Sequence, residues 1–458
     1  MDFFADLKVD PKTADEYVKR EYAPLEVGMN YNGHVVIRKI SIGLFDINWL
    51  VWNMKLKKFQ NLKVLRADHK FHTFKRELHV LELLRSQQFK SQSDYDRFAD
   101  YKDWGYLHCK FKLETKEFHR EHIFMEFEPL VGTLVTLANQ CPNRKFSLES
   151  TKKIIGQILE GISFLHHLRY IHCDLKPENI FFSLDPGTIA QILREMKINR
   201  YDLVEYSSPI PPETPAPAKL DVVFDFLLGK IGDSHETQTY LNVEDFVLSP
   251  NFKLKICNLN NSTRMSARTT GQAGATQYRP PENLCETYIW SCFDIWSIGI
   301  VAMELVTGEL LYDYKDPNDV TKRRLGQLHL INRSVGPLQV EWYKSGQVYK
   351  DYFNDDGQLK DCNGMIHEDE KVEQYTIKSV LKRHGINDKN FFKMVKSCLH
   401  PNPKARTSSS NLLARYYDRT PSDKFFDDIK GKRTATKSFR PRKSKKPSTL
   451  KSRKVIDG

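Results

Sequence analysis

The residues best suited to chemistry lie at 170–182, in the stretch Tyr-Ile-His-Cys-Asp-Leu-Lys-Pro-Glu-Asn-Ile-Phe-Phe. Apolar pairs flank its polar centre, which predicts a charged turn held between two buried strands. The spacing of Asp174, Lys176 and Asn179 suits phosphoryl transfer. Asp174 would accept the proton of a substrate hydroxyl, Lys176 would balance charge on the moving phosphoryl group, and Asn179 would bind a metal ion. The alternative is a chance polar turn, but it would have to reproduce the whole H-x-D-L-K-P-E-N pattern.

Composition limits the class of protein. A length of 458 residues allows one large two-lobed domain with extensions, or about three small domains. The hydrophobic fraction of 40 % is enough for a sizeable core. Eight cysteines occur without a C-x-x-C pair, which favours free thiols in a reducing compartment over a disulfide frame or a zinc site. No apolar run approaches the length of a membrane span, so we expect a soluble protein without a membrane partner.

The positive charge is concentrated at the C-terminal end. Residues 430–458 contain twelve Lys or Arg and one Asp, and so carry +11 of the net charge of +12. We predict that this basic tail is disordered, because it has almost no apolar residues. Its stretch 440–446, Arg-Pro-Arg-Lys-Ser-Lys-Lys, is typical of a nuclear import signal, which predicts import machinery as a partner and a location in nucleus and cytoplasm. Direct nucleic-acid binding is the less favoured alternative, since no aromatic residues interleave for base stacking.

The order of predicted elements indicates an α+β fold. Alternating or apolar runs predict strands at 34–40, 48–52, 59–65 and 123–127. Between the third and the fourth strand, leucines three residues apart predict a helix over about 70–86. Mainly helical patterns follow the last of these strands. This order predicts a small sheet lobe before a larger helical lobe.

The loop around Asp174 resembles the catalytic loop of Ser/Thr protein kinases. The resemblance extends over about residues 16–415 and is to the SR-protein kinases, a branch of the CMGC group. It implies the two-lobed protein kinase fold, a protein substrate, and ATP and Mg²⁺ as cofactors. We divide the chain into an N-terminal extension (1–33), a small lobe (34–128), the first part of the large lobe (129–185), a spacer insert (186–250), the second part of the large lobe (251–429) and the basic tail (430–458). The resemblance implies a spacer at the position of the insert, and the prolines of the insert predict that it is disordered.

The resemblance also implies roles for single residues. On the nucleotide side these are Gly43 of the glycine-rich loop, Lys63 on the phosphates, Glu77 (or Glu82) as its helix partner, Phe127 as gatekeeper, and Glu128 to Leu130 as the hinge that meets adenine. In the scaffold they are His172 of the catalytic loop, Asp294, which hydrogen-bonds that loop, and the buried ion pair of Glu282 and Arg406.

Several positions depart from the family pattern. Asn258 stands where the family has the metal-binding Asp, so neither Asn258 nor Asn179 offers a charged ligand. Asp46 brings a negative charge towards a triphosphate, and Asn48 and Asn61 put polar groups against the adenine position. Two functions therefore compete. One is a Ser/Thr kinase with impaired activity that uses ATP and Mg²⁺; the other is a pseudokinase without cofactor that acts as a protein-binding or regulatory module.

A further departure concerns the substrate. SR-protein kinases dock arginine-rich peptides on acidic residues of the helical lobe, whereas the matching stretch here is Lys322-Arg323-Arg324, which would repel such peptides. The alternative, which we favour, is that these three charges form a solvated helix face.

Overall fold

Residues 2–7, 19–26, 28–31, 33–68, 71–87, 95–113, 116–183, 243–267, 269–271, 273–314, 319–360 and 375–419 are described by the computed structural model. The predicted basic tail and most of the predicted insert lie outside these residues. No helix in the described part of the chain is long and apolar enough to cross a membrane. The seven cysteines of these ranges are free thiols, as the sequence predicts.

The small lobe contains a seven-stranded sheet. Its strands are β1 (Asp2–Leu7), β2 (Asn30–Tyr31), β3 (His34–Ile42), β4 (Asp46–Asn53), β5 (Lys58–Leu65), β6 (Tyr101–Leu113) and β7 (Lys116–Phe127). They lie in the order β1-β6-β7-β5-β4-β3-β2, and all neighbours are antiparallel except β1 and β6. The predicted strands at 34–40, 48–52, 59–65 and 123–127 are present, each longer than predicted.

The two faces of this sheet differ in character. Trp49 and Val51 of β4 and Leu62 and Val64 of β5 belong to one buried apolar cluster. Because successive side chains of a strand point to opposite faces, Asn61 and Lys63 lie on the other face. That face is turned to the large lobe, since Lys63 donates a hydrogen bond to Asn258 of that lobe. The alternation of β5 therefore places polar residues towards the cleft between the two lobes.

Helix α1 (Phe71–Gln87) packs between the sheet and the other lobe. Its bounds agree with the predicted helix over about 70–86. Its buried residues are Phe74, Glu77, Val80, Leu81 and Leu84. Glu77 is the one charged member of this face, and it needs a partner because an unpaired buried charge is expensive.

The large lobe is mainly helical. Its helices are α2 (Leu134–Ala138), α3 (Leu148–His167), α4 (Val243–Leu248), α5 (Pro281–Leu284), α6 (Cys292–Thr307), α7 (Val320–Val335), α8 (Tyr349–Tyr352), α9 (Ile377–Arg383), α10 (Lys389–Cys398) and α11 (Ser409–Tyr416). Helices α3 and α6 form its centre, with α6 buried along nearly its whole length. Helix α6 ends at Gly308 (φ 78°), where a Cβ atom would lie 2.1 Å from the carbonyl oxygen of Asn143.

Short strands hold the catalytic loop. Strand β9 (Tyr170–Ile171) precedes it and β10 (Ile180–Ser183) follows it, so the predicted charged turn does lie between two buried strands. The lobe also contains β8 (Gly132–Thr133), β11 (Lys253–Ile256) and β12 (Thr263–Arg264), which pair as β11-β10-β8 and β12-β9.

Two boundaries differ from those expected. Strands β1 and β2 belong to the sheet although they fall within the expected extension 1–33, and Tyr22 and Leu25 are part of the small-lobe core. Helix α4 lies within the expected disordered insert 186–250. Its residue Glu244 accepts hydrogen bonds from the backbone and hydroxyl of Ser147 at the start of α3. Within the described part of these two segments, Tyr22 and Leu25 bury apolar side chains and Glu244 caps α3, contacts that the sequence did not indicate.

Candidate active site

The buried carboxylate of Asp294 fixes the backbone of the catalytic loop. Its carboxylate accepts hydrogen bonds from the backbone N–H groups of His172 (2.8 Å) and Cys173 (2.9 Å) and lies 2.8 Å from His166 Nε2. Asp294 is fully buried, so these partners are what make its charge tolerable there. The ring of His172 lies 2.9 Å from the carbonyl oxygen of Cys257, which ties the loop to the segment just before Asn258.

Asp174 is fixed by donors on both of its carboxylate oxygens. One oxygen accepts hydrogen bonds from the amides of Asn179 (3.0 Å) and Asn261 (3.2 Å), and the other accepts one from the backbone N–H of Ala275 (3.1 Å). Gly274 (φ 66°) permits this approach, because a Cβ atom there would lie 2.4 Å from the carbonyl oxygen of Cys173. A carboxylate has about four acceptor positions, which leaves one for a substrate hydroxyl.

Lys63 joins the two lobes. Its ammonium group donates to both carboxylate oxygens of Glu77, at 2.8 and 2.9 Å, and to Oδ1 of Asn258 at 2.7 Å. A second carboxylate, that of Asp46, lies 3.6 Å away. Burial by itself would lower the pKa of Lys63, but the charges of Glu77 and Asp46 hold that pKa above its usual value. The structure thus brings together Lys63 and Glu77, and it is Glu77, not Glu82, that pairs with Lys63.

A chain of side-chain hydrogen bonds continues from Lys63 to Asp174. Asn258 donates from Nδ2 to Oδ1 of Asn179 at 2.6 Å, and Asn179 donates from Nδ2 to Asp174. The two ends determine the direction, since Lys63 can only donate and an ionised Asp174 can only accept. Each amide between them must therefore present oxygen towards Lys63 and nitrogen towards Asp174.

This chain occupies the positions at which the sequence predicts metal ligands. The side-chain oxygens of Asn179 and Asn258 already accept hydrogen bonds within the protein. Magnesium usually takes one or two carboxylates in addition to phosphate oxygens. Among the four side chains of this hydrogen-bond series, only Asp174 has a carboxylate. In the described part of the protein, no group of three or more His, Cys, Asp or Glu side chains could hold a metal ion. The residues present do not fit a conventional magnesium site.

The segment that matches the glycine-rich loop contains a buried carboxylate, that of Asp46. The side chain of Asp46 is 7 % exposed, and its Oδ1 accepts a hydrogen bond from Asn48 Nδ2 at 3.2 Å. The backbone N–H of Gly43 donates to the carbonyl oxygen of Asp46 at 2.8 Å, which fixes the turn. An anion that contacted Lys63 would approach this carboxylate, and two like charges about 4 Å apart repel by roughly 4 kcal/mol at an effective dielectric constant near 20.

The deeper end of the cleft also carries a polar side chain. Asn61 is 0 % exposed, and neither its Nδ2 nor its Oδ1 has a hydrogen-bond partner. The residues that pair with Asn61 in the sheet, Leu50 and Phe127, are buried as well. Such unpaired buried amides are rare, because leaving a donor or acceptor unmet costs about 1–3 kcal/mol.

The predicted hinge, Glu128 to Leu130, directly follows Phe127 at the end of β7. Leu130 is buried, and the Glu128 carboxylate accepts from Lys255 (2.7 Å) and from the backbone N–H of Asp100 (2.9 Å). The side chain of Glu128 therefore links the hinge segment to β11. Lys176 is half-buried in the same loop as Asp174. The adenine-contacting roles of Phe127, Glu128 and Leu130 and the charge-balancing role of Lys176 stay predictions.

The expected ion pair of the helical lobe is formed. The guanidinium group of Arg406 donates two hydrogen bonds to the Glu282 carboxylate, at 2.7 and 3.1 Å, and both side chains are buried. The same guanidinium group stacks over the ring of Trp296, 5.0 Å from its centroid. Burial alone would lower the pKa of Arg406, but the charge of Glu282 holds that pKa above its usual value.

One expectation about the helical lobe is corrected. Lys322 is exposed and Arg323 half-exposed, but Arg324 is buried and forms an ion pair with Glu286 at 3.1 Å. Arg324 also donates to the hydroxyl group of Tyr352 at 3.3 Å. The solvated face therefore does not include Arg324, because the α7 periodicity turns this residue inward towards an acidic partner.

Sequence reasoning did not single out Asn261, although this residue donates to Asp174. Its signal was the run of asparagines that includes Asn258, Asn260 and Asn261. Asn261 comes three residues after Asn258, and the 3₁₀ turn Leu259–Asn261 brings its side chain back towards the catalytic loop.

Comparisons with known proteins agree with this geometry. The protein kinase domain family matches residues 56–205 and 241–417 of the chain. Protein kinase dsk1 of Schizosaccharomyces pombe is 23 % identical over 496 residues, covering 92 % of this chain and 87 % of that protein. The serine/threonine-protein kinase SRPK of Physarum polycephalum is 26 % identical over 355 residues, covering 76 % of this chain and 77 % of that protein.

A solved structure supports the same fold. A crystal structure of a kinase domain aligns with a TM-score of 0.57 and 20 % identity, covering 87 % of this chain and 99 % of that domain. The family match spans well over half of the chain on both sides of the insert. The chain belongs to the protein kinase domain family, has the two-lobed kinase fold, and is homologous to SR-protein kinases of the CMGC group.

Proposed function

We propose that this protein is a Ser/Thr protein kinase homologue whose transfer of the ATP γ-phosphate to a protein hydroxyl is impaired. The observation that carries the proposal is the chain of hydrogen bonds from Lys63 through Asn258 and Asn179 to Asp174. In this proposal Asp174 accepts the proton of the substrate hydroxyl. The ion pair of Lys63 with Glu77 supports the proposal, because phosphoryl transfer by kinases needs such a pair. The metal position, by contrast, offers only amide oxygens that are already in use.

The expected size of the defect follows from the missing charge. Phosphoryl transfer depends almost entirely on positioning and electrostatic stabilisation. Removing one preorganised group of this kind typically costs about 3 kcal/mol, which is on the order of a hundredfold in rate. Against a common turnover of roughly 1–100 s⁻¹ for protein kinases, we expect turnover below about 1 s⁻¹.

The test combines nucleotide binding with transfer. Thermal unfolding of the full chain is measured with ATP in EDTA, with Mg²⁺ and with Mn²⁺, and phosphate incorporation is measured on a basic protein substrate. A ligand that binds only the folded state raises stability by RT ln(1 + [L]/Kd), so weak binding gives a small shift. The Asp174→Asn variant supplies the background rate. Turnover of roughly 1–100 s⁻¹ with Mg²⁺ and ATP would contradict impairment.

A second candidate function is a pseudokinase that binds a protein partner without any cofactor. It is favoured by the burial of Asp46, Asn48 and Asn61, each at most 5 % exposed, beside an intact helical lobe. Under this alternative the wild type transfers no more phosphate than Asp174→Asn, and ATP gives no thermal shift with any metal. In both cases we propose that the basic tail at 430–458 mediates nuclear import.

A further inference from the structure

A second cavity lies on the large lobe, between helices α3, α10 and α11. Its volume is about 800 Å³. This volume falls within the range of roughly 300–1,000 Å³ that is usual for small-molecule sites. None of the residues that line it belongs to the candidate active site, so the cavity is a separate feature of the fold.

Contacts between the three helices fix the walls of this cavity. The hydroxyl group of Tyr417 donates to Sδ of Met394 at 3.5 Å, which ties the residue after α11 to α10. The ammonium group of Lys152 in α3 forms an ion pair with Asp388, the residue before α10, at 2.7 Å. The cavity therefore exists only in the folded protein, because its walls come from segments that are far apart in the sequence.

The lining of the cavity carries an excess of positive charge. Lys393 and Lys396 lie three residues apart on α10, which places them on the same side of that helix, and Arg415 lines the cavity from α11. All three side chains are exposed, and no acidic side chain of the described residues forms an ion pair with any of them. Among the described residues, Asp418 is the only carboxylate that lines the cavity.

A histidine adds a hydrogen-bond donor at the end of α10. The backbone N–H of Asn402 donates to Nδ1 of His400 at 3.1 Å, so in the neutral ring the proton lies on Nε2. The buried Arg406 donates to the carbonyl oxygen of His400 at 3.1 Å, which fixes the backbone there. Within the described part of the chain, the Nε2–H group has no partner. His400 lines the same cavity as the three cations.

We propose that this cavity binds a small molecule that carries several phosphate groups. Neighbouring phosphates would contact Lys393 and Lys396, whose Cβ atoms are roughly 5–6 Å apart at this helical spacing. Arg415 approaches from another helix, so the cations surround the cavity, which suits a compact polyphosphate better than an extended peptide. The guanidinium group of Arg415 can bind phosphate through two parallel hydrogen bonds. The inference goes beyond the proposed function, since it assigns a second site that needs no phosphoryl transfer.

The experiment measures thermal unfolding of the full chain in EDTA with inositol hexakisphosphate and with tripolyphosphate, at constant ionic strength. The basic tail also attracts polyanions, but it would bind them in the folded and the unfolded protein alike. Such binding does not raise the melting temperature, whereas binding to a site that only the fold creates does. We therefore expect the melting temperature to rise with inositol hexakisphosphate.

Paired variants test the two lysines. Lys393→Gln combined with Lys396→Gln should weaken the affinity obtained from the melting curves at least about tenfold, because two charge-assisted contacts are lost. Lys344→Gln combined with Lys382→Gln is the matched control, since it removes the same charge from two exposed lysines that do not line the cavity. The control should keep the affinity within about twofold of the wild type.

A local measurement places the ligand. The rate at which an amine-acetylating reagent modifies each lysine is followed by mass spectrometry, with and without inositol hexakisphosphate. Bound ligand should slow modification of Lys393 and Lys396 at least about fivefold and leave Lys344 and Lys382 unchanged. Arg415→Gln should remove this protection although both lysines of the cavity are still present.

The outcomes decide the inference without reference to transfer activity. It is wrong if neither polyphosphate raises the melting temperature, or if the Lys393→Gln, Lys396→Gln protein responds as strongly as the wild type, since the ligand then binds elsewhere. Should this double variant fail to fold, the absence of lysine protection in the wild type is the refuting result. A doubly phosphorylated peptide that binds more tightly than inositol hexakisphosphate would also contradict the assignment to a small molecule. Impaired phosphoryl transfer can hold in each of these cases.

Discussion

Replacing Asn258 with Asp perturbs the hydrogen-bond chain at its centre. Asn258 donates from Nδ2 to Oδ1 of Asn179 at 2.6 Å. A carboxylate has no donor, so in the variant two oxygens would face each other at this distance. The new charge would be attracted to Lys63, which lies 2.7 Å from the present amide oxygen, but Glu77 already neutralises this lysine. Without metal, the substitution should therefore destabilise the fold.

The magnitude follows from these contacts. Losing one hydrogen bond and leaving the Asn179 oxygen without its donor costs about 1–3 kcal/mol, and the attraction of Lys63 offsets part of it. A net loss of about 1–2 kcal/mol lowers the melting temperature by roughly 1–3 °C in a domain of this size. A divalent cation bound to the new carboxylate reverses the loss. At a concentration tenfold above Kd it restores about 1.4 kcal/mol.

The assay is thermal unfolding in EDTA and over a titration of Mg²⁺ and Mn²⁺. Asn258→Ala is the matched control, because it also loses the amide donor but gains no carboxylate. We expect both variants to melt below the wild type in EDTA, and only Asn258→Asp to respond to metal. A wild type that responds to Mg²⁺ as strongly as the variant would refute the assignment of the metal position, and so would an Asn258→Asp variant more stable than the wild type in EDTA.

Phosphoryl transfer gives the second measurement on the same variant. Restoring the metal carboxylate alone leaves Asp46 beside Lys63 and Asn61 at the end of the cleft, so we expect less than about a tenfold gain in transfer to a basic protein. The combination with Asn61→Ala and Asp46→Ser should recover ATP binding. A gain of tenfold or more from Asn258→Asp alone would show that the missing carboxylate is the only serious defect.

Three further predictions concern stability and location. Arg406→Leu leaves Glu282 buried without its partner and should cost about 3–5 kcal/mol in denaturant unfolding, a loss that also replacing Glu282 with Gln should largely relieve. Burial raises the pKa of Glu304 from 4.5 to about 7 although the hydroxyl of Tyr278 donates to it. Between these two pKa values the folded state holds a proton that the unfolded state releases. The free energy of unfolding should therefore fall by on the order of 3 kcal/mol as pH rises from about 4.5 to 7. Glu304→Gln should abolish this pH dependence. Deleting residues 430–458 should leave the melting temperature within about a degree and remove nuclear enrichment of a fluorescent fusion; a truncated protein that stays nuclear would assign import to another segment.

Much of the site could be read from the sequence because its determinants are local. The H-x-D-L-K-P-E-N pattern at 172–179 lies within one loop, and the strand alternation of β5 places Lys63 and Asn61 on one face without reference to any other element. The helix periodicity of α1 likewise turns Glu77 inward. The resemblance to kinases then implied the pair of Lys63 with Glu77, or with Glu82, and showed that position 258 lacks the carboxylate of the family pattern.

The tertiary structure alone decided which polar groups meet. Arginine is usually a surface residue, but α7 packs Arg324 against Glu286. Nothing near Arg324 in the sequence indicates that partner. The series of hydrogen bonds through Asn258 and Asn179 joins residues that are far apart in the sequence. The sequence likewise did not show that the side chain of Asn61 would be buried without a hydrogen-bond partner. Periodicity tells which face of an element a side chain occupies, whereas only the packing of distant elements determines what that side chain touches.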